Sequence, residues 1–210
     1  MTAPGAIRGI LFDFGGVLHD MAWHVAHGLE EAHGLPRDTL VETLYRTPTW
    51  KALECGRGER QAWLDEAHQL LEARAGRPLP RLHDAWRAGQ HPISPNVALA
   101  RALRPPYRTA ILSNADASLP ARLRETLGIH DLFDAVVCSA LEGIAKPEPA
   151  IYRLAAARLD LPPDACVFID DHEPNVTAAR EVGMAAIFFR VDRGHDLATQ
   201  LAELGVRPSP

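Results

Sequence analysis

Five short apolar runs recur along the chain, at 7–14, 109–113, 135–139, 166–170 and 185–190. Between the later runs lie stretches with helical patterning, at 119–127, 149–159 and 173–182. Alternation of this kind predicts βαβ units, and therefore an α/β fold with a parallel sheet covered on both faces. Right-handed crossovers follow by default. The first gap is different. Residues 20–90 show no strand pattern, only helical segments near 22–33, 37–45, 61–75 and 81–88. A crossover needs only about a dozen residues or slightly more, so this stretch reads as an inserted helical subdomain above the sheet. Pro-rich stretches mark the seams: 91–95 ("HPISP"), 104–106 ("RPP") and the frayed tail 207–210 ("RPSP").

Composition narrows the class. The chain has 210 residues, 47% hydrophobic and 23% charged, enough to bury a core in one domain with a sizeable insert. A net charge of -5 gives no basic footprint for nucleic acid. No run reaches the roughly 18 apolar residues of a membrane span. Asp13 interrupts the first apolar run and no small-residue cleavage site follows, which argues against a signal peptide. Cys55, Cys138 and Cys166 are odd in number and scattered, so the chain is expected in a reducing cytoplasm without a disulfide framework. Cys138 and Cys166 sit in apolar runs and read as packing residues.

The chemistry sits where the runs stop. The first ends at Asp13, followed at once by Gly15 and Gly16. The second ends at Ser113 and Asn114, the loop after the third carries Lys146, and the fourth ends at Asp170 and Asp171. Ligands of open parallel sheets bind beyond the carboxyl ends of the strands. A carboxylate, a hydroxyl, an ammonium and a carboxylate pair on one rim make a candidate site. Each has a plainer reading: Asp170 and Asp171 as helix caps, Ser113 and Asn114 as turn formers, Lys146 as a solvated side chain, Asn175 as a helix start.

In order and spacing, "DFGGVL", "ILSN", "AKPEPAIY" and "FIDDHEPNVTAAREVGM" closely resemble the four motifs of the haloacid dehalogenase-like (HAD) hydrolase superfamily. The resemblance covers essentially the whole chain. It implies a Rossmann-like core over 1–18 and 91–210, with a small all-helical type-1 cap over 19–90. It also implies an Asp13 nucleophile that forms an aspartyl-phosphate. Mg²⁺ would be held by Asp13, the Gly15 carbonyl, Asp170 and Asp171. Gly16, Ser113, Asn114 and Lys146 would hold the phosphoryl oxygens, with Ser113 and Lys146 catalytic. The implied partner is a small phosphorylated metabolite, with no nucleic acid and no membrane. Which substrate it is, and the oligomeric state, do not follow from the sequence.

One position departs from the pattern. The usual phosphatase motif has a second Asp two residues after the nucleophile, acting as general acid; here it is Gly15. The match is instead to a subgroup that includes sugar-phosphate phosphatases. A positioned acid is typically worth about 10²–10⁴-fold, so a good leaving group, or His19 or Asp20 as donor, must compensate, or turnover is slow. A 2-haloacid dehalogenase also uses an Asp nucleophile without the second Asp, but needs no acidic pair. A catalytically weak regulatory protein that binds a phospho-metabolite is the third reading. Trp50, Trp63 and Trp86 are expected in the core of the insert. His24 and His27 are expected to decorate it, and Arg46, Arg57 and Arg60 to lie on a solvated face.

Overall fold

In a computed structural model describing residues 6–208, the strands in chain order are β1 (Gly9–Phe12), β2 (His19–Asp20), β3 (His91–Pro92), β4 (Arg108–Ser113), β5 (Ala135–Cys138), β6 (Cys166–Asp170) and β7 (Ala185–Phe188). Five of them form one parallel sheet in the order β5-β4-β1-β6-β7. Successive side chains point to opposite faces of a strand, and the burial follows that rule. Ile10, Phe12, Ile111, Val167 and Ile169 pack on one side of the sheet. Leu11, Ala110, Leu112, Val137 and Phe168 pack on the other. Helices cover both sides: Ala100 and Leu201 close the first core, and Tyr152, Ala155 and Ala179 the second. That double burial is why the runs in the sequence are continuous rather than alternating. β1 lies between β4 and β6, so the sheet order reverses direction at β1, and the crevice beyond its carboxyl end is the expected ligand position.

The insert holds five helices: α1 (Trp23–His33), α2 (Thr39–Tyr45), α3 (Pro48–Leu53), α4 (Arg60–Ala75) and α5 (Leu82–Ala88). Leu40, Leu44, Leu71 and Leu82 share their core with Trp50, Trp63 and Trp86, as the sequence suggested. Buried indoles need partners for their N–H groups. Trp63 Nε1 donates to the Leu44 carbonyl at 2.5 Å, and Trp86 Nε1 to the Met21 carbonyl at 2.6 Å. Glu30 is buried too, and its carboxylate accepts from the backbone N–H groups of Leu40 and Asp38. Arg46 and Arg57 are exposed, and Arg60 lies 3.6 Å from Asp116.

Three features differ from the sequence reading. First, β2 and β3 pair antiparallel across the two ends of the insert, so His19, Asp20 and the 91–92 seam are a ribbon. Two residues a side are too few to leave a pattern. Secondly, helices at Pro48–Leu53, Ser94–Ala102 and Leu197–Glu203 were not anticipated. The first two carry proline in their first turn, where its missing N–H costs nothing; read as breakers, those prolines hide the helices. Thirdly, the segment at 119–127 is not one α-helix. It winds into a π turn at Arg122–Thr126, where the Leu127 N–H reaches back to the Arg122 carbonyl.

Cys138 and Cys166 are buried and unpaired, as expected. No described helix is long and apolar enough to cross a membrane. Ser209 and Pro210 of the tail, and residues 1–5 of the first segment, lie outside the described residues.

His83 in α5 gives the insert a pH dependence. It is buried, with Nε2 3.0 Å from the Thr43 hydroxyl, and burial lowers its pKa to about 4. The unfolded chain therefore binds more protons than the folded one between about pH 6.5 and pH 4, and stability falls as pH drops through that window. Replacing His83 with Asn should flatten the fall. The difference, at most about 3 kcal/mol, is measured by denaturant unfolding of both proteins at pH 7 and pH 4.5. Parallel slopes would contradict it.

Candidate active site

Asp13 follows β1 directly, and its N–H continues the ladder by donating to the Ile169 carbonyl at 2.8 Å. The backbone then turns. Phe14 N–H donates to Asp13 Oδ1 at 2.7 Å, and Gly16 N–H to the His19 carbonyl. Gly16 has φ +75°, a region that costs little only for glycine, and a Cβ there would overlap Asp171 Oδ2. Gly15 has no such backbone constraint. A Cβ on it would meet the Met21 sulfur at 3.2 Å.

The other strand ends converge on this turn. Lys146 Nζ lies 3.0 Å from Asp13 Oδ1 and 2.6 Å from Asp170 Oδ2, and its side chain is 1% exposed. Asp170 is held from every side: Asn175 Nδ2 donates to Oδ2 and the His172 N–H to Oδ1. Asp170 thus orients Lys146 and holds the backbone at His172 just before the helix Glu173–Glu181, without capping the helix itself, while Asp171 keeps its carboxylate open to the cavity. Asn114 clasps the Lys146 peptide at both ends: its Nδ2 donates to the Lys146 carbonyl and its Oδ1 accepts the Lys146 N–H. The same amide donates to Glu54 of the insert at 3.2 Å. Ser113, at the end of β4, is buried and lines the same cavity.

Electrostatics give the cluster its character. Burial raises the Asp13 carboxyl to about 6, against the pull of Lys146 and with a push from Asp170. Burial, then Asp13 and Asp170, raise Asp171 to about 7. Burial alone would lower the Lys146 pKa, but Asp13 and Asp170 outweigh it and hold the ammonium well above the usual lysine range. Lys146 therefore pairs with two of three crowded carboxylates, while Asp171 feels it and Arg190 without an ion pair among the described residues. Ligand oxygens of Asp13, Asp170 and Asp171 all lie within 4.8 Å of one another. Hard oxygens with excess negative charge fit a small divalent cation. Among the described residues, His24 and His27 belong to no such group; His27 sits 3.3 Å from Asp38 instead.

Above the cluster lies a cavity of about 330 Å³. Its floor is Asp13, Ser113, Lys146 and Asp171, and its walls come largely from the insert, as Trp23, Tyr45, Trp50 and Trp63. Glu54, Arg87 and Arg122 also line it, and no sequence pattern marked them. Glu54 comes from the end of α3, Arg87 from α5 and Arg122 from the π turn, and only the tertiary fold brings them together. His19 and Asp20 separate. His19 lines the cavity, stacked on Phe14 with ring centres 4.9 Å apart, and burial with the Arg122 charge lowers its pKa to about 4. Asp20 accepts from the Ala22 N–H and faces a different cavity.

The turn at Gly16 supplies a test. Gly16→Ala adds a side chain to left-handed backbone and displaces Asp171. We expect a loss of roughly 1–3 kcal/mol of stability, read by thermal unfolding. An unchanged Tm would mean that the turn has slack.

The chain resembles known proteins over most of its length. The chain is 27% identical over 190 residues to fructose-1-phosphate phosphatase YqaB of Escherichia coli, covering 87% of this chain and 96% of that protein. It is 27% identical over 184 residues to the sesquiterpene phosphatase astK of Aspergillus oryzae, covering 86% and 88%. It is 29% identical over 212 residues to mouse acyl-CoA dehydrogenase family member 10, but spans only 19% of that longer protein. A HAD-like family hydrolase from Porphyromonas gingivalis superposes with a TM-score of 0.68 at 25% identity, over 95% of this chain and 98% of that one. Residues 7–183, which include all four strand ends of the site, match the family model for haloacid dehalogenase-like hydrolases, and the chain is a hydrolase belonging to that family.

Proposed function

We propose that the chain is a Mg²⁺-dependent phosphatase of a small phosphorylated metabolite and that Asp13 carries the phosphoryl group between the two halves of the reaction. The observation that carries this reading is the buried Lys146 bridging Asp13 and Asp170, with the Asp171 carboxylate open beside them. Lys146 leaves Asp13 short of full compensation and ready to attack. An Asp13 oxygen bonds to phosphorus as the bond to the leaving oxygen breaks, and that oxygen takes up a proton. Water then attacks phosphorus, freeing phosphate and restoring the carboxylate. Ser113 and Lys146 offer a hydroxyl and an ammonium to the phosphoryl oxygens. Mg²⁺, held by Asp13, Asp171, Asp170 and the Gly15 carbonyl, would offset the repulsion between carboxylates and phosphate. Relatives named as phosphatases support the phosphate ester as substrate, and one of them is named for a sugar phosphate. Free cysteines, two of them buried, support a reducing cytoplasm as the setting.

The dehalogenase reading has one point in its favour, the absence of an acid at Gly15. Against it stands Asp171, a half-buried carboxylate on the cavity floor that such chemistry would leave without a use. The deciding experiment follows phosphate release from 4-nitrophenyl phosphate with Mg²⁺ and with excess EDTA, beside chloride release from 2-chloropropionate. Phosphate release that stops in EDTA and returns with Mg²⁺ is expected. Chloride release undiminished in EDTA would give the dehalogenase.

Gly15→Asp restores an acid two residues after the nucleophile. The φ of Gly15 tolerates a side chain, and only the flexible end of Met21 must shift. Turnover of alkyl phosphates, whose leaving groups need a proton, should rise by up to about 10²-fold. 4-Nitrophenyl phosphate should gain little. A folded variant without that selective gain would mean that another residue already donates, and the lowered pKa of His19 argues against its being that one.

A further inference from the structure

The floor of the cavity is acidic, but the corner beside Phe14 is cationic. Arg122 opens the π turn, and its guanidinium carbon lies 5.1 Å from the centre of the Phe14 ring. Its Nε is buried with no hydrogen-bond partner. Arg87 of α5 lines the same cavity. Among the described residues neither arginine has a carboxylate within ion-pair distance. The acid closest in influence, Asp116, is already engaged by Arg60 at 3.6 Å. Tyr45 of the cavity wall feels the charges of Arg87, Arg122 and Arg60 and of Asp116.

Asp116 acts on Arg122 from beyond ion-pair distance, and a half-buried guanidinium that no carboxylate bonds directly gains when an anion arrives. The guanidinium fork suits carboxylate and phosphate oxygens, which it can bind in pairs. The π turn is an independent sign, since such turns are frequent at functional sites. The same cavity has an aromatic wall of Tyr45, Trp50 and Trp63, with Glu54, Gln90 and Asp116 as its other polar lining outside the floor and His19 beside Phe14.

Building on the phosphatase reading, we propose that the substrate is a phosphate ester whose leaving group carries a second anion, a carboxylate or a second phosphate, bound by Arg122 and Arg87 while the body of the leaving group packs on the aromatic wall. Specificity would then lie in the separation between the two anionic groups as well as in the apolar surface between them.

The test compares matched esters: phenyl phosphate with 4-carboxyphenyl phosphate, and a hexose monophosphate with the corresponding bisphosphate. The unaltered chain should prefer the doubly anionic member of at least one pair in kcat/KM. In Arg122→Gln that preference should fall by about 10–100-fold, the scale of a charge-assisted hydrogen bond. The pair that shows the preference tells carboxylate from phosphate. The same esters are titrated into Asp13→Asn, following tryptophan fluorescence from Trp23 and Trp50 on the cavity wall, with and without the Arg122 change. Equal affinity for both members of each pair, or a preference that Arg122→Gln leaves unchanged, would overturn the proposal. A binding preference without turnover of any ester would instead refute the phosphatase reading and leave the anion subsite standing. Should Arg122→Gln fail to fold, Arg87→Gln carries the same comparison.

Discussion

Asp13→Asn should abolish phosphate release, by on the order of 10⁴-fold or more as for loss of other catalytic nucleophiles, without unfolding the protein. The amide is nearly isosteric, and its oxygen can still accept from the Phe14 N–H. Lys146 keeps its bond to Asp170. The substitution also removes one carboxylate from a cluster in which burial and Asp170 already raise the Asp13 pKa to about 6. Tm measured without metal should therefore hold or rise. Loss of activity together with a collapsed Tm would make the effect structural. Residual activity near that of the unaltered chain would remove Asp13 from the chemistry.

Lys146→Met has the second-largest expected effect and acts on stability and turnover together. It leaves Asp13, Asp170 and Asp171 crowded without a cation. Breaking a buried pair by removing one partner costs about 3–5 kcal/mol. The cost has a pH sign. Carboxyls with raised folded-state pKa values bind more protons folded than unfolded, so their burden on stability grows as pH rises through that range. Without Mg²⁺, the unaltered chain should lose stability between about pH 4 and pH 7, given Asp13 near 6 and Asp171 near 7. Lys146→Met should steepen that loss and extend it upward. Turnover should fall by about 10²–10³-fold, as when one donor to a developing anion is removed. Denaturant unfolding at pH 5 and pH 8 reads the first effect and steady-state kinetics the second. A variant equally stable at both would mean that the carboxylates are neutralised by other means.

The rim of the candidate site was legible in the sequence because a doubly buried parallel strand is a continuous apolar run that stops where its polar residue begins. Asp13, Ser113 and Asp170 each mark such a stop. The Asp170/Asp171 pair divided its labour as local geometry dictates: the first is bound by the backbone and by Lys146, the second open to the cavity. Asn114 was legible as a site residue, but the sequence did not reveal its bonds to both ends of the Lys146 peptide, a contact across 32 positions. The upper half of the cavity left no trace. Trp50 and Trp63 have the same aromatic signature whether they fill a core or line a cavity, and here they do both. Arg122 sits in what reads as an ordinary helix face until the π turn places it against Phe14. The β2–β3 ribbon was invisible for want of length, and proline at a helix's first turn looked like a break.

The covalent role of Asp13 is tested most directly by acid-quenching the enzyme during turnover with Mg²⁺ and mapping its peptides by mass spectrometry. The account predicts one phosphoryl group on the peptide that contains Asp13, absent from Asp13→Asn. Rapid turnover with no phosphoryl group on Asp13 at any quench time, or one on another residue, would contradict it.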